Sequence, residues 1–318
     1  MVRKVATLVL LSVLVLLASS CTNKKVKNPI ADVNSKQPDK VLFDRAMDAM
    51  KHSHYDIARL SLQTLINTYP ESEYIARAKL AVGDSWYAEG GSTGLAQAEI
   101  EYKDFETFFP NMPEAAEAQL KVANIHYRQM EKPDRDYTHA KRAEDEYKQL
   151  IQQYPDSKLV PEAKRRLMEV QEVLAEREYR IGHFYYMRES YAASIARLKT
   201  VTDNYPVYSG VDDALFLTGS SWEKLIEGVR ANSQMPETMK GKLIADYTKH
   251  AQEAYDRIIT RYPAMARVND AKERLQALHL PVPTPTEAAL KQSQAEEASR
   301  GDQSAKERVM GLLSQHPD

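Results

Sequence analysis

The chain has 318 residues, of which 43% are apolar and only 11 are glycine, and its formal charge is −2 at pH 7. Apolar residues in this proportion can bury a core, which excludes a wholly disordered protein. The near-neutral charge provides no drive toward nucleic acid, and a single cysteine excludes a disulfide framework. We therefore expect a globular protein whose fold depends on packing and whose partners do not include nucleic acid.

The first twenty residues have the pattern of an export signal. Arg3 and Lys4 precede an apolar run from Val5 to Leu17. This run is too short to span about 30 Å of hydrocarbon as a stable helix. We therefore predict that residues 1–20 are a lipoprotein signal peptide that is removed.

Cys21, the only cysteine, directly follows three small residues, Ala18-Ser19-Ser20. This stretch resembles the lipobox of bacterial lipoproteins, although Leu17 lies four positions before the cysteine and the family prefers leucine at the third. The resemblance implies a lipidated Cys21, and Thr22 in place of Asp implies the outer membrane, with the domain facing the periplasm. In the alternative, an ordinary signal peptidase cleaves nearby and leaves an unpaired, reactive thiol.

A short pattern recurs five times and ends in an aromatic residue followed by proline. The pairs are Tyr69-Pro70, Phe109-Pro110, Tyr154-Pro155, Tyr205-Pro206 and Tyr262-Pro263. Twelve positions before each proline the residue is small, and eight and five positions before it the residues are apolar. These spacings form one stripe of an α-helix, which the proline ends because it forces the preceding residue out of the α region.

A second small residue recurs upstream on an apolar helical pattern, as Ala46, Gly83, Ala123, Gly182 and Gly219. Glycine costs up to about 1 kcal/mol in a helix interior, so its recurrence indicates a close helix crossing. In the first and fourth units the two small residues are 12 positions apart, which matches the ~34-residue tetratricopeptide repeat that the chain resembles here. The resemblance implies an all-α fold, a tetratricopeptide-repeat superhelix of about five helix-turn-helix units.

The remaining chain divides into four predicted segments. Residues 21–39 form a lipidated flexible tether, and residues 40–157 form an N-terminal block of units 1–3. Residues 158–280 contain a long connecting helix, predicted from Lys158 to Met187, and a C-terminal block of units 4 and 5. Residues 281–318 form a polar, flexible tail. About twenty extra residues between Gly228 and Thr248 predict a long turn in the last unit.

The sequence contains no pattern of catalytic or metal-binding residues. It has no phosphate loop, no nucleophile elbow and no paired cysteines. His52 and His54 are two positions apart and occupy different helix faces, which argues against a shared metal. We therefore predict that the protein is not an enzyme and holds no cofactor or metal.

Charged runs alternate with apolar positions, as in Glu144-Asp145-Glu146 and Lys164-Arg165-Arg166. We interpret them as solvated faces of amphipathic helices. In the alternative, basic residues of the long helix pair with an acidic partner surface; these are Arg165, Arg166, Arg177 and Arg180.

The leading helices of the first four units carry further residues one position beyond the core stripe. Where the chain resembles the tetratricopeptide family, this face lines a peptide groove. The candidate groove residues are Phe43, Met47, Met50, Asp84, Tyr87, Asn124, Tyr127, Tyr179, His183 and Tyr186. Methionine and tyrosine provide adaptable apolar contacts that suit extended peptides of varied sequence. The alternative is that half of these residues only pack between helices, with phenylalanine favouring the core.

The cysteine after the signal, the repeats, the Tyr-Pro-x-Ser junctions and the long helix together resemble the BamD family of outer-membrane assembly lipoproteins, also called ComL or YfiO. The resemblance covers Cys21 to about Leu280. It implies a subunit of the β-barrel assembly machinery whose C-terminal units dock on a periplasmic POTRA domain of BamA. The N-terminal units would receive targeting segments of unfolded outer-membrane proteins, and other lipoproteins of the machinery are further expected partners.

Two alternatives stay open. The first is another tetratricopeptide lipoprotein adaptor, such as a secretin pilotin or a peptidoglycan-enzyme adaptor. The second is an enzyme or solute-binding protein that uses the aromatic groove, which would need a deep closed pocket with convergent titratable groups.

The lipid anchor leads to a direct prediction. Replacing Cys21 with Ser removes the acceptor of the acyl chains, each buried CH₂ of which contributes about 0.8 kcal/mol to membrane binding. We expect Cys21→Ser to release the domain into the soluble fraction when cells are fractionated. Retention of the variant in membranes free of partner proteins would refute lipidation.

Overall fold

The computed structural model describes residues 37–299, and the regular structure in that range is entirely α-helical. The named helices are α1 (Pro38–Lys51), α2 (Tyr55–Thr68), α3 (Ile75–Glu89), α4 (Gly91–Phe108), α5 (Ala115–Arg128), α6 (Thr138–Gln153), α7 (Val160–Met187), α8 (Tyr191–Asn204), α9 (Val211–Ala231), α10 (Glu237–Arg261) and α11 (Val268–Ala277). A further helix covers residues 287–299. Between residues 37 and 299, no helix combines the length and apolarity needed to cross a bilayer. Cys21 and the predicted signal peptide lie outside the described residues.

The chain forms two compact units, the first ending at Gly94 and the second beginning at Leu95. In the first unit, α1 packs on α2 and α2 packs on α3. In the second unit, α5 packs on α6, and each later helix through α11 packs on its predecessor. This succession of packed neighbours confirms the predicted all-α fold of tetratricopeptide type. The division into blocks at residue 157 stays a prediction.

The predicted stripe of small and large residues is the core of all five trailing helices. The small residues Ala58, Ala98, Ala143, Ser194 and Ala251 are completely buried, and the ten large residues of the stripe are at most 1% exposed. At every aromatic-proline junction the aromatic N–H donates to the carbonyl oxygen of the last stripe residue, as from Tyr69 to Leu65. The backbone carbonyl oxygen of the same aromatic residue accepts a hydrogen bond from the backbone N–H three residues later. The junctions are therefore one repeated turn.

The leading helices contribute the second small residue where they cross the stripe. A Cβ atom on Gly182 would lie 2.7 Å from Cδ2 of Leu198, and one on Gly219 would lie 2.5 Å from Cζ of Tyr255. Glycine thus permits the close approach that the repeat predicts. The hydroxyl of Ser194 also donates a hydrogen bond of 2.9 Å to the carbonyl oxygen of Gly182, which fastens this crossing.

The long helix predicted from Lys158 to Met187 is confirmed as α7, whose 28 residues span about 42 Å. It contributes Val170 and Leu174 to one hydrophobic cluster, and the adjoining Ala175 belongs to the next cluster. Tyr205 packs against both clusters. A single rigid helix therefore connects the two cores within the second unit.

The segment predicted as a long turn between Gly228 and Thr248 is mostly helical. Helix α9 continues to Ala231 and α10 begins at Glu237. The Trp222 ring lies 5.1 Å from the Tyr247 ring and 4.8 Å from the His250 ring, between centroids. Aromatic packing holds the extended parts of the two helices together, so the extra residues lengthen the hairpin.

Glu144 differs from the expected solvated face, because it is only 1% exposed. Its carboxylate accepts hydrogen bonds from Lys141 Nζ at 2.8 Å, Lys148 Nζ at 2.6 Å and Gln171 Nε2 at 3.1 Å. Burial alone would raise the pKa of Glu144, but these three donors together hold the pKa below its ordinary value. The buried carboxylate thus joins α6 to α7.

Because α9 packs closely against Tyr255 at Gly219, we predict different effects on stability for alanine substitutions at two glycines of α9. Gly219→Ala forces a methyl group against the buried Tyr255 ring, and we expect it to lower the free energy of unfolding by about 1–3 kcal/mol. Gly228→Ala is the matched control, because nothing lies within 4 Å of its added Cβ, and it should raise stability by about 0.5–1 kcal/mol. Urea unfolding followed by circular dichroism measures both, and equal effects would contradict the close crossing.

Candidate peptide-binding surface

In the first unit, Phe43 lies in the core. Its side chain is 6% exposed and its ring stacks on Tyr74, with 5.1 Å between centroids. The Arg77 guanidinium carbon lies 5.2 Å from the centre of the Phe43 ring. The structure therefore assigns Phe43 to packing between α1 and its neighbours, which is the alternative that the sequence favoured for phenylalanine.

Four other candidates in the first compact unit, which ends at Gly94, keep part of their surface in solvent. Met47 and Met50 are half-buried on α1, and Asp84 and Tyr87 are half-buried on α3. Met47 packs against the core cluster of the unit. A half-buried side chain is held by its neighbours and still presents atoms to a ligand, so these four residues remain candidate contacts.

In the second unit, Asn124 and Tyr127 already have internal partners. The Tyr147 hydroxyl donates to Asn124 Oδ1 at 2.6 Å, and the Tyr127 hydroxyl donates to Glu169 Oε2 at 2.6 Å. The Arg166 guanidinium carbon lies 4.4 Å from the centre of the Tyr127 ring. Burial, aided by Glu169, raises the pKa of Tyr127 to about 12, so the phenol stays protonated and keeps donating. These contacts connect α5 with α6 and α7.

The last three candidates follow one face of α7. Tyr179 is half-buried, and its ring centroid lies 6.3 Å from that of Tyr208 and 6.2 Å from that of His183. His183 is exposed, and Tyr186 is half-buried with its ring edge against Tyr191 at 5.6 Å. His183 is therefore the most exposed of the three.

Sequence reasoning missed two of the most exposed large apolar residues on α7. Phe184 is 54% exposed and Met187 is 67% exposed. They fall outside the core stripe, and the signal that could have identified them is that each directly follows a candidate residue, His183 or Tyr186. Phe184 borders a shallow cleft of about 320 Å³ that also contains Arg177 and Arg180.

The basic residues of α7 have partners within the chain, and their pairing with an acidic partner surface stays a prediction. Arg177 Nη1 lies 2.9 Å from Glu178 Oε1, and Arg180 Nε lies 2.5 Å from Glu176 Oε1. Arg165 likewise pairs with Glu169. Among residues 37–299, no group of three or more His, Cys, Asp or Glu side chains could hold a metal.

Comparisons with known proteins agree on one family. The profile of the YfiO family, described as "Outer membrane lipoprotein", matches residues 35–239. The chain is 25% identical over 192 residues to "Outer membrane protein assembly factor BamD" of Caulobacter vibrioides, which covers 60% of this chain and 62% of that protein. It is 24% identical over 203 residues to the protein of the same name from Vibrio cholerae, and this match covers 61% of this chain and 83% of that protein. The chain therefore spans less than two thirds of the Caulobacter relative's length.

Among solved structures, the complex of the TPR2AB domain of yeast Sti1 with pHSP90 has a TM-score of 0.35 and 11% sequence identity. The match covers 87% of this chain and 98% of that chain. A score this low supports no conclusion about function.

The internal contacts of Tyr127 predict a structural effect. Tyr127→Phe removes the hydroxyl that donates to Glu169, and we expect the free energy of unfolding to fall by about 1 kcal/mol. Tyr137→Phe is the control, because Tyr137 is 49% exposed and should lose almost nothing. Chemical denaturation measures both variants. Equal stability of Tyr127→Phe and the wild-type protein would show that the hydrogen bond does not hold the helices.

Proposed function

Because the chain belongs to the YfiO family of outer membrane lipoproteins, we propose that it works at the outer membrane as an assembly factor for outer-membrane proteins. The observation that carries this proposal is the family match over residues 35–239, which includes the helices from α1 to α9. The names of the Caulobacter and Vibrio relatives agree with this role.

Within this role, the protein binds targeting segments of unfolded barrel proteins through its methionine and tyrosine side chains. Met47, Met50 and Tyr87 support this assignment in the first unit, since they are half-buried and partly open to a ligand. His183 and Tyr186 support it in the second unit. Tyrosine loses few rotamers on binding and methionine adapts its shape, so both tolerate varied client sequences.

The C-terminal hairpins dock on the periplasmic POTRA domain of BamA. Hydrogen bonds between the helices of these hairpins support their use as a rigid docking element. Glu223 accepts a hydrogen bond of 2.6 Å from the Tyr255 hydroxyl and one of 3.0 Å from Arg274 Nε. These contacts join α9, α10 and α11, so binding would order few additional groups.

A lipid on Cys21 holds the protein at the outer membrane, on the periplasmic side. Other lipoproteins of the same machinery are additional partners in this proposal. The protein acts by binding alone, without a covalent reaction, a cofactor or a metal. The proposed surface fits this role because its contacts are apolar, aromatic and adaptable.

The proposed client surface is tested by peptide binding. Tyr87→Ala and Tyr186→Ala remove aromatic contact area, and we expect each to weaken binding of labelled C-terminal peptides from barrel proteins by about fivefold, or about 1 kcal/mol. Fluorescence anisotropy measures the affinity, and thermal unfolding shows whether each variant remains folded.

The matched control is Tyr137→Ala, which removes an exposed tyrosine outside the candidate surface and should leave affinity unchanged. A large loss of stability with unchanged affinity would show that Tyr87 and Tyr186 belong to the core. Equal weakening in the Tyr137 variant would show that the peptides bind without using this surface.

A further inference from the structure

The last aromatic-proline junction differs from the first and third in its polar contacts. In those two junctions a serine stands two positions after the proline. Ser72 Oγ accepts a hydrogen bond of 3.2 Å from the backbone N–H of Tyr74, and Ser157 Oγ accepts one of 3.3 Å from that of Leu159. In the last junction the corresponding residue is Met265, which provides no hydroxyl.

A serine from the helix at residues 287–299 contacts this junction at a different backbone group. The backbone N–H of Ala264 donates a hydrogen bond of 3.2 Å to Ser293 Oγ, and Ser293 is 1% exposed. Three residues later, Glu296 accepts two hydrogen bonds from Arg261, at 3.0 Å from Nη1 and 2.7 Å from Nη2. Residues 281–299, expected as part of a free tail, thus dock beside the end of α10.

The residues before this helix anchor the chain separately. Leu280 and Val282 pack against the hydrophobic cluster of the last hairpins. The connection can therefore stay in place while the helix leaves.

The docked helix offers few apolar contacts. Leu290, its only large aliphatic residue, is 37% exposed. The side chains of Arg261 and Glu296 remain 29% and 17% exposed, so dissolved salt can weaken their attraction. An attachment that includes this solvent-accessible ion pair weakens as salt rises and is suited to exchange.

We propose that Arg261, Tyr262 and Ala264 form a helix-docking site that the chain's own helix occupies and that a partner helix takes over. The partner helix carries a serine followed three residues later by a glutamate. The hydroxyl oxygen of this serine accepts a hydrogen bond from the N–H of Ala264, and the glutamate forms an ion pair with Arg261. The Arg261 guanidinium carbon lies 4.7 Å from the centre of the Tyr262 ring. The site lies beyond residues 35–239 that match the family, and its occupation by the chain's own helix does not depend on whether the C-terminal hairpins dock on a POTRA domain.

A labelled peptide with the sequence of residues 284–299 tests this site on the full-length protein. In the wild-type protein the chain's own helix competes, so we expect weak binding. Glu296→Gln in the protein weakens the internal helix, and the peptide should then bind at least tenfold more tightly. Glu287→Gln is the matched control, because Glu287 is exposed and pairs with Lys291, and it should behave as wild type.

Arg261→Gln should abolish peptide binding even though it also releases the internal helix. Binding should return when Arg261→Glu protein meets a peptide that carries Arg in place of Glu296, which shows that the site remains folded. Hydrogen exchange at the Ala264 amide should accelerate in Glu296→Gln. Equal affinity of wild type and Glu296→Gln, no binding to either, or binding that survives Arg261→Gln would each overturn the proposal.

Discussion

The close crossing of paired helices at small residues is the constraint on which the fold depends. At Gly219, even one added methyl group would meet the Tyr255 ring at 2.5 Å. The small residue therefore sets the distance between two helices, and the large stripe residue fills the space beside it. Because this crossing is local to each hairpin, the segments outside it can vary in length. The extension of α9 and α10 uses this freedom, and α7 uses it to join two cores.

Within each unit, helices fixed in this way hold the candidate side chains on a rigid support. The hydrogen bonds of Tyr127 to Glu169 and of Tyr147 to Asn124 hold helices in place, so Asn124 and Tyr127 also stabilise the support. Met47, Tyr87 and Tyr186 remain partly open. A surface whose side chains are already held in place loses less conformational freedom on binding than a flexible one. A rigid support with partly open side chains suits the assembly role that we propose from the family match.

The core could be predicted from the sequence because each stripe lies within one helix and repeats at spacings of four and three. Contacts between distant segments could not. Glu144 looks solvated by pattern, yet Gln171 from the next helix helps to bury it. The docking of Ser293 beside Ala264 joins residues far apart in sequence. Phe43 shows a third limit, because a small rotation about a helix axis decides between groove and core.

The most direct measurement of the central claim is the identity of the proteins that remain bound when the full-length lipoprotein is purified from outer membranes. Quantitative mass spectrometry should recover a barrel-forming subunit with periplasmic POTRA domains in near-stoichiometric amount, together with unfolded barrel clients. Recovery of a secretin or a peptidoglycan hydrolase, without a barrel-assembly subunit, would contradict the assembly role and favour another tetratricopeptide adaptor.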